Sequence, residues 1–310
     1  MQSIRQVMDK FMQDHYNEAD YQDTLAKIMT YPEIQSFIHD HQDQISQEMI
    51  ANSRSKLNEY RREMERIKAG KPGQNPGFAP VLFINGNYID VSYQPTPQYL
   101  IHEKTRKRDA LIDNRMMSKD VRQASFDSFY TQSKFRPFLL QQALDWLDAY
   151  QENPYDVQAF YLTGPFGVGK TYLLGAMANQ LADLGYEVTM VHYPSFTSEV
   201  KQNIQSGQYK EMIDAVKKVP VLILDDLGAE ANTVWVRDEV LTIILEYRMK
   251  ESLATFFSSN KTMNELAQHL ASTRDGGMET VKADRIMERI RYLAREINFQ
   301  GENLRQRGRR

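Results

Sequence analysis

The sequence predicts an α/β chain: a parallel sheet of five strands from about Ser125 onward, preceded by a small helical domain with a β-hairpin. Three observations predict it. Beyond Ser125, short apolar runs of strand length alternate with stretches of helical periodicity, the pattern of parallel strands joined by crossover helices. The first 69 residues hold a single proline and no glycine, and their apolar residues recur at helical spacing. Between Gly70 and Pro97, five of the chain's eleven prolines accompany two short β-branched and aromatic runs around Asn85-Gly86-Asn87, which is hairpin grammar.

The elements follow in order. Leu57, Tyr60, Met64 and Ile67 mark one face of a helix. Pro32 suits a first helical turn, where its missing N–H costs nothing, so residues 1–69 divide into two or three helices. The mixed charges from Arg54 to Lys68 read as a solvated helix face. Val81-Leu82-Phe83-Ile84 and Tyr88-Ile89-Asp90-Val91 form the hairpin arms. His102 to Arg122 is rich in Lys and Arg, and is expected to be a linker with at most a short helix. The expected organisation is therefore a domain over 1–105, a linker over 106–124 and a second domain over 125–310. Expected strands are Ala159–Thr163, Glu187–His192, Val219–Leu224, Ala254–Ser259 and Glu296–Phe299. Expected helices are Arg136–Tyr150, Lys170–Leu184, Glu199–Lys217 and Val234–Lys250.

Composition excludes several chemistries. With 38 basic and 41 acidic residues the formal charge is −3, so the chain as a whole has no polyelectrolyte character and any nucleic-acid contact must be local. The absence of cysteine rules out disulfides, iron–sulfur clusters, thiolate zinc sites and a cysteine nucleophile. No apolar signal core opens the chain and no run reaches membrane-spanning length. The expectation is a soluble, cytoplasmic protein with no membrane partner.

The chemistry is carried by four motifs. Gly164-Pro165-Phe166-Gly167-Val168-Gly169-Lys170-Thr171 is a full G-x-x-x-x-G-K-T between a strand and a helix, the setting of a phosphate loop. Its glycines let backbone N–H groups turn toward phosphates, Lys170 reaches the β and γ phosphates, and Thr171 ligates Mg²⁺ at the helix N-terminus. Tyr172, the next residue, is counted with the nucleotide-binding set. Val221-Leu222-Ile223-Leu224-Asp225-Asp226 is a buried-strand run ending in two carboxylates, where ligands of an open α/β sheet bind. Asp225 is placed to hold the metal through water, and Asp226 to act as general base toward the attacking water. Asn260 ends a third apolar strand, Ala254 to Ser259, and could orient that water. Asp284-Arg285-Ile286-Met287-Glu288-Arg289 sets arginines along a helix, and arginine's planar fork suits phosphate oxygens.

These motifs in this order resemble the AAA+ ATPases. Leu224-Asp225-Asp226-Leu227-Gly228, Phe257-Ser258-Ser259-Asn260-Lys261, Arg285-Ile286-Met287-Glu288-Arg289 and Asn303-Leu304-Arg305 look like the helicase-loader branch, the DnaC and DnaI type. The resemblance covers the motifs from about residue 125 to 310, and over 1–105 it rests on the helical and hairpin layout. It implies an AAA+ P-loop ATPase that uses ATP and Mg²⁺, hydrolyses ATP, and binds the replicative hexameric DNA helicase to place it on single-stranded DNA during primosome assembly. Other primosome proteins and self-association through the AAA+ domain are implied as well. By position it makes Asn260 the first sensor, Arg289 a trans-acting arginine finger and Arg305 a second sensor. Residues Tyr193 to Lys218 resemble the extra helical insertion of the clade, with DNA contacts near Thr233 and Trp235.

Two departures from the family pattern stand out. Lys71-Pro72-Gly73-Gln74-Asn75-Pro76 occupies the region where such N-terminal domains often carry a cysteine zinc site, so no zinc is expected. Asp226 stands where AAA+ enzymes generally have glutamate. The length after the last strand is expected to leave no room for a full helical lid or a duplex-reading module. The competing readings are a transposase-associated AAA+ ATPase and a nucleotide-gated adaptor with little turnover.

Overall fold

The computed structural model describes residues 18–114, 116–132, 135–272 and 277–304. The chain divides into two compact units, Met1–Glu103 and Lys104–Arg310.

In the first unit, helices α1 (Glu18–Met29), α2 (Pro32–Asp40), α3 (Gln47–Asn52) and α4 (Arg54–Lys68) precede strands β1 (Phe78–Asn85) and β2 (Tyr88–Pro95). Pro32 opens α2 as its fixed φ predicts. The two strands pair antiparallel from Phe78↔Pro95 to Asn85↔Tyr88, and the tight turn is made possible by Gly86 at φ +58°. Ile28, Ile34, Ile50, Leu57, Tyr60, Leu82 and Ile89 form the core. Ser53 stitches helix to hairpin: its hydroxyl donates to the Met49 carbonyl at 2.6 Å and accepts from the Ile89 N–H at 2.6 Å. On α4 the apolar stripe is where periodicity puts it, but one acid shares the buried face. Glu63 is 3% exposed and accepts the Gln74 N–H at 2.7 Å.

The division between the units falls within α5 (Pro97–Leu111). The second unit is built on a sheet of six strands rather than the expected five, in the order β3-β5-β6-β7-β4-β8, every pair parallel. The additional strand, β3 (Ile112–Asp113), comes from the stretch read as a linker and pairs Ile112 with Val188. That stretch also holds the end of α5 and a short helix, α6 (Lys119–Arg122), which buries Val121. Its basic residues gave it a linker's composition, whereas its sparse apolar residues tie it to the sheet. The remaining strands lie close to expectation: β4 (Ala159–Thr163), β5 (Val188–His192), β6 (Val221–Asp225), β7 (Thr255–Ser259) and β8 (Ala294–Asn298).

Helices α7 (Arg136–Glu152) and α8 (Lys170–Asp183) flank β4 in the chain. The single helix expected over Glu199–Lys217 is two, α9 (Tyr193–Gln202) and α10 (Tyr209–Lys218), interrupted where Gly207 takes φ +76°. The next helical run has a π-helical segment, Val236–Leu241, continuing as α11 (Thr242–Lys250). Helices α12 (Met263–Ala271) and α13 (Thr280–Leu293) complete the unit. Every residue of β4, β6 and β7 is buried, as a parallel sheet covered on both faces requires. The carboxyl ends of these strands meet at one edge of the sheet, where such folds bind ligands. Among the described residues, no helix is long and apolar enough to cross a membrane.

Candidate nucleotide site

The loop between β4 and α8 turns on glycines with positive φ: Gly164 at +147°, Gly167 at +75° and Gly169 at +103°. Space as well as φ demands them. A Cβ on Gly164 would lie 2.3 Å from the Phe299 carbonyl oxygen, and one on Gly169 would lie 2.7 Å from an Arg136 guanidinium nitrogen. Lys170, 5% exposed, curls back over the loop. Its Nζ donates to the carbonyls of Gly164 (2.7 Å) and Pro165 (3.0 Å) and to Asn260 Oδ1 (2.8 Å).

The strand ends bring the carboxylates to the same place. Thr171 Oγ1 donates to Asp225 Oδ1 at 2.8 Å, and Ser258 Oγ donates to the same oxygen at 2.6 Å. Burial pushes the Asp225 carboxyl above the ordinary carboxylate range; the Ser258 hydrogen bond opposes this, while the neighbouring Asp226 charge adds to it. Asp226 takes φ +58°, a left-handed conformation uncommon outside glycine. Its N–H donates to Ser258 Oγ at 3.0 Å, and His192 Nε2, from the end of β5, lies 3.7 Å from its Oδ2. A hydroxyl beside a buried carboxylate at a helix N-terminus is a hard-oxygen donor set that fits Mg²⁺.

These groups line a cavity of about 800 Å³, within the range for small-molecule sites. Phe166, Gly167, Gly169, Lys170, Thr171, Tyr172, Asp225, Asp226 and Asn260 all border it. Gly164 and Pro165 act through their carbonyls, and the Val168 side chain is core. The sequence-based set lacked the opposite wall: Met116, Met117, Val121, Phe129, Tyr130 and Arg136. This wall offers apolar and aromatic surface, with Phe129 stacked near Tyr172 at 6.4 Å. Arg136, 2% exposed, joins the wall to the loop. It donates to the Tyr130 carbonyl at 2.6 Å and the Val168 carbonyl at 3.0 Å, beneath the Phe129 ring at 4.8 Å. The aromatic pair Phe129-Tyr130 ahead of β4 was the available sequence signal.

Other expected residues fall elsewhere. Arg289, on α13, does not border the cavity; its Nη2 lies 3.5 Å from Glu246 on α11. Thr233 accepts the Val236 N–H at 3.3 Å. Trp235 is half-buried, packed against the core, its ring 5.8 Å from that of Tyr209. Arg305 lies outside the described residues. Just before it, the Leu304 N–H donates to the Gly167 carbonyl at 2.9 Å, returning the chain to the phosphate loop.

Comparison with known proteins gives concordant matches over both units. The family model for the primosomal protein DnaI N-terminus matches residues 1–93, and that for IstB-like ATP binding proteins matches residues 85–310. The replicative helicase loader DnaI of Bacillus subtilis is 37% identical over 284 residues, covering 90% of this chain and 91% of that protein. A crystal structure of DnaI, 43% identical, superposes with a TM-score of 0.56 over 62% of this chain and all of that one. A putative primosome component from Streptococcus pyogenes, 39% identical, superposes with a TM-score of 0.54 over 64% of this chain and 98% of that one.

Proposed function

Because the chain belongs to the DnaI family of replicative helicase loaders, we propose that it binds the replicative hexameric helicase and, using ATP, helps place it on single-stranded DNA during primosome assembly. The observation that carries this reading is the union in one chain of a DnaI-type N-terminal unit with a cavity that gathers Lys170, Thr171, Asp225, Asp226 and Asn260. The helicase-binding surface is assigned to residues 1–105. ATP binding, self-association and single-strand contact are assigned to 125–310, with Thr233 and Trp235 touching DNA and other primosome proteins as further partners.

The chemistry is hydrolysis of ATP to ADP and phosphate. Lys170 releases the carbonyls of Gly164 and Pro165 to bind the β and γ phosphates, and the loop N–H groups surround them. The aromatic and methionine wall takes the base. Thr171, and Asp225 through water, would hold Mg²⁺, which would supply charge neutralisation to the phosphates. Asp226 accepts the proton of the attacking water, and Asn260 orients that water. Arg289 reaches the γ phosphate of a neighbouring subunit, and Arg305 senses nucleotide in its own. Zinc takes no part.

The test uses purified replicative helicase and circular single-stranded DNA. Wild-type chain with ATP and Mg²⁺ should deliver the helicase, read as strand displacement, while a Lys170→Ala chain should bind helicase but not deliver it. Failure of the wild-type chain to retain the helicase overturns the reading. A transposase-associated role finds support in the IstB-like match, but that match is confined to residues 85–310. A steady-state ATPase assay with and without single-stranded DNA separates a turning-over loader from a nucleotide-gated adaptor.

A further inference from the structure

We propose that Ser258 is a positioning residue for ATP hydrolysis, acting through Asp225 and Asp226; this rests on the hydrolytic reading above. The β6–β7 ladder runs from Leu222↔Thr255 to Leu224↔Phe257. Beyond it, where β6 delivers its two carboxylates, Ser258 takes over. Its Oγ donates to Asp225 Oδ1 at 2.6 Å and accepts the Asp226 N–H at 3.0 Å. Its carbonyl accepts the Leu227 N–H at 2.9 Å. One fully buried serine therefore holds three consecutive residues of the catalytic loop, with the single hydroxyl proton and a lone pair both in use.

Two features make this more than packing. Asp225 Oδ1 receives both Thr171 and Ser258, so the hydroxyl fixes the carboxylate that adjoins the metal-binding threonine. Asp226, at φ +58°, sits in a conformation that persists only when its surroundings hold it, and the Ser258 oxygen supplies the acceptor for its N–H. Ser259 extends the connection, donating to the Leu227 carbonyl at 2.6 Å and accepting the Lys261 N–H at 3.1 Å. Asn260, between them, is thereby kept in register with Asp226. Removal of the Ser258 hydroxyl leaves phosphate binding to the loop but lets the general base drift.

The test contrasts two nearly isosteric variants of the full chain, Ser258→Thr, which keeps the hydroxyl, and Ser258→Val, which lacks it. Three readouts are needed: ATP turnover, affinity for a fluorescent ATP analogue with and without Mg²⁺, and thermal melting. Ser258→Val should lower kcat by about tenfold or more, the scale expected when a reacting group is misplaced. It should keep Mg²⁺-free analogue affinity within about threefold, since the loop contacts remain, and lose part of the gain that Mg²⁺ brings. Ser258→Thr should retain most of the turnover. Ser258→Ala repeats the loss with less bulk if valine crowds the strand. Equal turnover in the Thr and Val chains overturns the proposal while leaving ATP hydrolysis by the wild type intact. A wild-type chain without turnover overturns the hydrolytic reading itself and this proposal with it.

Discussion

Arg248 is a buried cation with hydrogen bonds to neutral acceptors. It is fully buried, and its guanidinium donates to the carbonyls of Lys217, Val219, Pro220 and Ala254 and to the Thr255 hydroxyl. Burial pulls it down to about 9, so it stays charged at neutral pH. It ties the end of α10 to the starts of β6 and β7, the strands that end at Asp225 and just before Asn260. Arg248→Met should therefore cost about 3 kcal/mol, because buried carbonyls lose their donor, read as a lower urea midpoint with nucleotide affinity largely kept. Residues of this kind were not legible in the sequence. Lys170, Thr171, Asp225 and Asp226 announce themselves because their role is set by neighbours within a few positions and by the strand or helix they end. Arg248 and Arg136 are defined by partners about 30 residues away, and an isolated arginine within an amphipathic helix carries no such mark.

At the scale of elements, all five expected strands are present close to their expected places, and one expected helix divides in two at Gly207. Strand β3 has two residues, too few to show any period, and it exists because Val188 and Thr189 offer it an edge. The hairpin was legible from its turn residues, but its anchorage was not. Glu63 sits on the apolar face of α4 and accepts the Gln74 N–H, fastening Lys71–Pro76. Gly73 is needed beside it, since a Cβ there would lie 2.6 Å from Glu63 Oε2. This carboxylate fastens the stretch that leads into β1. Glu63→Ala should lower stability by about 1 kcal/mol, the net contribution of the hydrogen bond it accepts from the Gln74 N–H, seen as an earlier melting of the first unit. Addition of EDTA should leave the wild-type melt unchanged; a shift on chelation would show that a metal does part of this work.

For the whole molecule, the alkaline limit belongs to both units. Burial, joined by the Glu59 partner, pushes Tyr93 of the first unit up to about 12, and burial does the same for Tyr150 of the second. Between pH 10 and about 12 these side chains are phenolate in the unfolded chain and still neutral in the folded one. The folded state then binds more protons, so stability falls as pH rises through that window and is fully present below it. Urea melts across the window should show midpoints dropping for both units, and Tyr150→Phe should lessen the loss in the second, where burial also pushes up Tyr161 and Tyr193.

The arrangement of strands also decides which cavity the proposed finger Arg289 can reach. The residues alone place Arg289 on a helix, and only the family resemblance makes it a trans-acting finger, because which cavity a helix serves depends on the order in which strands assemble. In the folded chain Arg289 faces Glu246 and does not border the cavity of its own subunit. The proposal that it serves a second copy fits this placement, as arginine's fork can exchange a carboxylate for a phosphate. Arg289→Ala should lower ATPase activity by roughly 10³-fold if it acts as an arginine finger, with ATP affinity little changed. Mixing decides whether it acts in trans. An Arg289→Ala chain and an Asp226→Asn chain are each impaired, but a mixed assembly contains interfaces where the intact finger of one meets the intact Asp226 of the other. ATPase activity should therefore partly recover as the two are titrated together. Mixtures shown by sedimentation to co-assemble, yet no more active than either chain alone, would mean that Arg289 serves its own subunit or only packs against Glu246.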